Sequence, residues 1–344
     1  MAVSRRLAGI LFCVGLTLAT GVDSAHAAKP LEDTRPVVLE GSHTMFPLAR
    51  AIALAFQGAH PGLELVVGGS GTGLAFEQLC AGRSDLANAS RPIKRDELEA
   101  CAKNEVAFVE IPVAYDGVAV IVNPKNTWAK DITVAELQTL WGAAADKTIT
   151  TWRQVRASWP DAPLVLFGPE VDSGTTDYFR DAVIGENGLM RTDYTATMNG
   201  EALVAGVSES PNAVGLLGLS YYKRNAMVLR ALAVDDQKAQ DGQDGPVAPT
   251  TEAIVAGTYQ PLARPLLVYV AAKSFERAPV KQLLDILMKR VDALTSQVGL
   301  VPLSESAYKL VRKRVAKRTT GTMFDGTGAM DGKAIETLLG QKRP

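Results

Sequence analysis

The sequence predicts an α/β fold, and three observations predict it. Short apolar runs alternate along the chain with segments whose apolar residues recur every three or four positions. Each run stops at a cluster of Gly, Ser, Thr or Pro. Several runs are almost continuously apolar, as strands covered on both faces are.

The elements follow in order. Residues 37–40 read as a strand, broken by Gly41-Ser42-His43-Thr44, and Leu48, Ile52, Ala55 and Phe56 then recur at helical spacing. Residues 63–67 read as a second strand, 68–73 (GGSGTG) as a break, and 74–81 as a helix. A third strand covers 85–89 and ends at Ser90-Arg91-Pro92, ahead of a polar helix over 95–104. Residues 106–114 and 118–123 are two β-branched runs. The pattern then repeats: a helix over 134–141, a strand over 164–167, a turn at 168–172, and a helix over 176–183 after Ser173-Gly174-Thr175. Residues 235–245 are polar and apolar-poor, a surface loop. Residues 265–270 form another strand. The tail is helical and basic through Lys309, Arg312, Lys313, Arg314, Lys317 and Arg318, which reads as a solvated face.

The first 27 residues are expected to be a cleaved signal peptide. Arg5 and Arg6 start it, an apolar run follows, and Ala25-His26-Ala27 is a small-x-small cleavage site. The run is short for a membrane span, and no later stretch reaches about 18 uninterrupted apolar residues. The expected product is a soluble, exported, periplasmic protein. Cleavage removes two basic residues and one acidic one and moves the formal charge from −1 to −2. It also leaves two cysteines, Cys80 and Cys101, which an oxidising compartment would join as a disulfide.

Composition excludes several function classes. At 344 residues the chain has room for about two domains. Lys and Arg (36) balance Asp and Glu (37), so no basic face is available to release counterions from a nucleic acid. Aromatics at 6% are too sparse for a base-stacking platform. His43 and His60 with two cysteines make no zinc cluster, so neither metal nor cofactor is expected. A secreted Ser-His-Asp hydrolase lacks its Gly-x-Ser-x-Gly elbow, so no enzyme is expected.

Four strand-to-helix breaks carry hydroxyls and glycines: Ser42/Thr44, Ser70/Thr72, Ser90/Arg91 and Ser173/Thr175. In an open α/β sheet the carboxyl edge of the strands is where ligands bind. Helix amino ends offer unpaired N–H groups, and hydroxyls add donors. Such an edge suits a small tetrahedral oxyanion. GGSGTG itself is neither a P-loop nor a dinucleotide fingerprint, because the Lys and the third Gly are missing.

The order Gly41-Ser42-x-Thr44, Gly69-Ser70-Gly71, Ala89-Ser90-Arg91-Pro92, Tyr115-Asp116-Gly117 and Asp172-Ser173-Gly174-Thr175 resembles the PstS-type periplasmic phosphate-binding proteins. These are the substrate-binding components of phosphate ABC transporters. Asn123-Pro124, Arg264-Pro265-Leu266 and Val301-Pro302-Leu303 also fit, and the resemblance spans residues 37 to 320. It implies a two-lobed, type II periplasmic binding fold with the ligand in a cleft between lobes. Lobe one would take residues 28–116 and 273–344, and lobe two residues 117–272. The implied phosphate ligands are Ser42, Thr44, Ser70, Ser90 and Arg91 from lobe one, with Ser173, Gly174 and Thr175 from lobe two. The implied partners are inorganic phosphate and an inner-membrane permease, with the binding protein a monomer.

The chain departs from the family in two places. Pro169 stands where an Arg often precedes the Ser-Gly-Thr serine, and Ser90 stands where an Asp often accepts the proton of phosphate. Arg91 is then the candidate for positive charge, and Asp116 or Asp172 for the proton acceptor. His43 either faces solvent or lines the cleft, where its charge would make binding pH-dependent. Other tetrahedral oxyanions (sulfate, arsenate, molybdate) and a sensor or scavenger without a transporter are the alternatives.

Overall fold

The computed structural model describes residues 33–171, 173–185, 188–197, 199–238, 245–326 and 334–341. The expected signal peptide, Asp172 and part of the 235–245 loop lie outside the described residues.

The first three strands, β1 (Val37–Gly41), β2 (Leu65–Val67) and β3 (Leu86–Ala89), run parallel and alternate with α1 (Phe46–Ala59), α2 (Thr72–Cys80) and α3 (Arg95–Lys103). α1 starts with Pro47 in its first turn and buries Leu48, Ala49, Ile52 and Phe56 at helical spacing against the sheet. Cys80 and Cys101 are bonded, with Cα atoms 4.2 Å apart, and tie the end of α2 to α3.

The two β-branched runs expected at 106–114 and 118–123 are one strand, β4 (Phe108–Val122), buried along all 15 residues. Tyr115-Asp116-Gly117 is not a break. The strand continues because it changes partners there instead of turning.

Next come β5 (Asp131–Thr133), α4 (Val134–Trp141), α5 (Trp152–Val155) and β6 (Val165–Gly168). Thr133 and Glu136 cap α4 reciprocally, at 3.1 and 2.9 Å. α6 (Gly174–Phe179) continues into a π-helical turn at Arg180–Ile184. β7 (Thr195–Ala196), α7 (Gly200–Glu209), β8 (Ala213–Gly218), α8 (Leu219–Arg224), β9 (Arg230–Ala231), β10 (Ala233–Asp235) and α9 (Thr251–Ala256) complete this part. The chain closes with β11 (Ala263–Ala271), α10 (Ala278–Gln297), α11 (Glu305–Ala316) and α12 (Ile335–Gly340).

Among the described residues the main sheet has the order β2-β1-β3-β11-β4-β8-β6-β7, with β9 also on β4. β4 pairs antiparallel with β11 from Phe108 to Gly117, and with β8 from Val118 onward. β11 also pairs with β3, from Leu267 to Val270. The result is the expected α/β, two-lobed architecture, with two sheet halves joined through β4. One half buries Leu39, Phe56, Phe76, Ile111 and Val268, and the other Ala119, Ile121, Leu203, Val207 and Leu217.

The basic tail helix is not simply a solvated face. Arg312 donates to Met288 O at 3.0 Å, Arg314 to the carbonyls of Glu110 and Gly321, and Arg318 pairs with Glu276. These guanidiniums satisfy carbonyls and a carboxylate of neighbouring segments, which the charge pattern alone does not reveal.

Candidate functional site

Because β1, β2 and β3 are parallel, their carboxyl ends share one edge, and the loops that follow are laced together there. Gly71 N donates to Gly41 O at 2.9 Å, and Ser42 N to Asn88 O at 3.1 Å. Thr72 Oγ1 accepts from Ser90 N at 3.3 Å and lies 3.3 Å from Ser90 Oγ. Gly41 is required for this closeness. Its φ is +147°, and a Cβ would stand 2.0 Å from Asn88 O.

The fourth break arrives from the other half. Ser173 caps α6, its Oγ accepting from Thr175 N at 3.2 Å. A Cβ on Gly174 would stand 2.7 Å from Thr44 Oγ1 and 3.9 Å from His43 Cβ, so the α6 loop meets the first loop directly.

Arg264, at the start of β11, lies where these loops meet. Its side chain is only 2% exposed. Nη2 donates to Thr44 Oγ1 at 2.7 Å, and Nη1 to Gly174 O at 3.0 Å. Nε and Nη2 both reach Asp116 Oδ2, at 3.2 and 2.8 Å. The Tyr178 ring lies 4.5 Å beneath the guanidinium, and its hydroxyl donates to Ala263 O at 2.7 Å. Burial pushes the Tyr178 phenol well above its ordinary range, so it stays a neutral donor. One cation therefore holds a hydroxyl from the first half, a carbonyl from the second and a carboxylate from β4.

The expected residues divide. Ser42 is buried at the shared edge, Thr44 is held by Arg264, Ser90 is held by Thr72, and Ser173, Gly174 and Thr175 form the opposing loop. Ser70 is exposed in the loop before α2. His43 is exposed at the rim, its ring 3.3 Å from where a Cβ of Gly69 would be. Asp116 is buried as the partner of Arg264. Asp172 lies outside the described residues.

Arg91 faces Glu97 in a two-pronged pair at 2.8 and 2.7 Å, with its guanidinium 5.4 Å from the Phe76 ring centroid. Arg264, to which the sequence assigns no site role, touches both halves. A signal existed: an arginine entering an apolar strand must be buried with a partner.

Among the described residues, no group of three or more His, Cys, Asp or Glu side chains is placed to hold a metal ion. The site offers hydroxyls, one guanidinium and one carboxylate, which suits recognition of a small oxyanion.

Known proteins share this architecture. Residues 20–287 match the family model described as a PBP superfamily domain. Protein SphX of Synechocystis sp. is 39% identical over 316 residues, covering 92% of this chain and 92% of that protein. The phosphate-binding protein PstS of Staphylococcus haemolyticus is 30% identical over 273 residues, covering 78% of this chain and 82% of the relative. The crystal structure of "a possible phosphate binding protein" from Planctomyces limnophilus matches with a TM-score of 0.75 at 37% identity, covering 83% of this chain and 98% of that one.

Proposed function

We propose a binding function for this chain, which belongs to the PBP superfamily: it captures inorganic phosphate in the cleft between its lobes. It does so outside the inner membrane, as a monomer, and presents the anion to an ABC permease without any chemical step. The phosphate-binding name of the Staphylococcus relative supports this reading. Arg264 carries it, a buried guanidinium bonded to Thr44 and Gly174 from opposing loops.

Lobe one then comprises residues up to Gly117 and from Ala263 onward, and lobe two the segment between them. Ser42, Thr44, Ser70 and Ser90 supply donors from lobe one, and Ser173, Gly174 and Thr175 from lobe two. Arg264 supplies the counter-charge in place of Arg91, whose charge Glu97 already answers. Both Arg264 bonds to Asp116 end on Oδ2, which leaves Oδ1 as the acceptor for a phosphate proton. Sulfate carries no such proton at neutral pH and would face the carboxylate unprotonated, so phosphate is favoured.

Calorimetric titration with phosphate, sulfate and molybdate tests the assignment. Phosphate should bind most tightly, and no heat with phosphate would refute the function. Arg264→Lys keeps the charge but loses the planar fork, and should weaken phosphate binding by about 10- to 100-fold. An unchanged Kd would remove Arg264 from the site. Turnover of a generic phosphate ester would argue for an enzyme instead.

A further inference from the structure

Behind the Ser90 loop lies a buried polar chain that contacts no ligand position. Tyr269 on β11 and Glu110 on β4 are register partners, and both are fully buried. The Tyr269 hydroxyl donates to Glu110 Oε2 at 2.7 Å and accepts from Ile93 N at 3.0 Å. Ile93 follows Ser90-Arg91-Pro92 directly. The loop is thus held at one end by Thr72 on Ser90 and at the other by Tyr269 on Ile93. The Tyr269 ring also packs edge-on against Phe76 of α2, with centroids 4.7 Å apart. It therefore bonds the end of the Ser90 loop and packs against α2, the helix that follows the Ser70 loop.

Glu110 sets the direction of this chain. Its Oε2 also accepts from Thr322 Oγ1 at 2.7 Å, and Oε1 accepts from Met323 N at 2.6 Å. A phenol has one proton. With that proton committed to the carboxylate, the phenol oxygen is left as an acceptor, which the buried Ile93 N–H requires.

We propose that Tyr269 is a positioning residue for the phosphate site. Its hydroxyl, oriented by Glu110, fixes the Ile93 amide and so holds Ser90 in its ligand-facing geometry. The proposal rests on the phosphate reading given above. It also makes the segment around Thr322 and Met323, more than 200 residues away in sequence, a support of the binding loop.

Tyr269→Phe tests it, because the ring keeps its packing and only the hydroxyl is lost. Phosphate Kd should rise by about tenfold, the size expected when one buried N–H loses its acceptor. A double-mutant cycle separates positioning from general destabilisation. Combined with Ser90→Ala, the losses should be clearly less than additive, whereas combined with Ser173→Ala on the opposite lobe they should add. An unchanged Kd in Tyr269→Phe, or additive losses with Ser90→Ala, overturns the role. Should Tyr269→Phe fail to fold, Glu110→Gln carries the same cycle. Its amide nitrogen can donate to the phenol oxygen and compete with Ile93, so the same pattern is expected. If the unaltered protein does not bind phosphate, the phosphate reading falls and this role with it. If it binds and the variants bind equally well, only the positioning role falls.

Discussion

A guanidinium that is 2% exposed must be paid for by partners, and Arg264 gathers them from three parts of the chain. None of these partners is near it in sequence, so the local pattern points to Arg91 instead. Arg91 sits inside a recognisable motif, but Glu97, in the first turn of the next helix, captures it. The placement of the Ser and Thr residues at strand ends can be read locally; the burial of Arg264 cannot, because burial is a tertiary property. A second buried arginine, Arg191, gives a prediction at the same scale. It holds Asp193 through two bonds, at 2.6 and 2.8 Å, and Lys147 N adds a third at 2.8 Å. The hydrogen bonds from Arg191 depress the Asp193 carboxyl to about 2. A carboxyl held below its unfolded value contributes stability above the ordinary aspartate range and loses it as pH falls toward about 2. Discounted for the solvent at its edge, that contribution is about 1–2 kcal/mol. Denaturant titrations between about pH 6 and pH 3 should show Asp193→Asn losing less stability on acidification than the unaltered protein. Parallel acid limbs would contradict this.

At the scale of elements, alternation alone located β1, β2, β3, β6 and β11 within a few residues. The sequence pattern splits β4 in two because Asp116-Gly117 looks like a turn, yet both residues lie in an unbroken buried strand. Gly117 is there for proximity: a Cβ would stand 3.2 Å from Ile254 Cδ1 and 3.4 Å from Leu262 O. Asp116 is tolerated in a strand core only because Arg264, its register partner on β11, neutralises it. Cross-strand compensation of this kind carries no local signal. The disulfide did have one, since two cysteines in a chain expected to be exported favour pairing. It spans 21 positions and fixes α3 to the end of α2, the helix that follows the Ser70 and Thr72 loop. In the chain-entropy model a loop of that length is worth about 3 kcal/mol. Replacing both cysteines by serine should lower the denaturant midpoint accordingly, and reduction of the unaltered protein should reproduce the shift. An unmoved midpoint in both experiments would mean that the bond constrains nothing the unfolded chain explores.

For the whole molecule, the arrangement suggests how binding and closure are coupled. In the lobe division proposed above, two of the described segments pass between the lobes, and they are bonded to each other: Val118 N donates to Leu262 O at 2.9 Å, and Tyr259 Oη to Val118 O at 2.9 Å. Tyr178 of α6 donates to Ala263 O at 2.7 Å beside them. Hinge closure about such a pair would bring the α6 loop onto the β1 loop, and Gly174 lies against Thr44 in this structure. A methyl at Gly174 would stand 2.7 Å from Thr44 Oγ1. That hydroxyl cannot swing away without losing its 2.7 Å bond from Arg264. Gly174→Ala should therefore oppose closure while leaving each lobe folded. Small-angle scattering should show the unaltered protein contracting on phosphate and the variant contracting little, with Kd raised at least about tenfold. Adding Thr44→Ala removes the opposing atom together with one ligand donor. The double variant should recover the contraction at saturating phosphate but not the affinity. If Gly174→Ala contracts as the unaltered protein does, this contact does not limit closure; if the double variant regains full affinity, the Thr44 hydroxyl is a spacer rather than a donor.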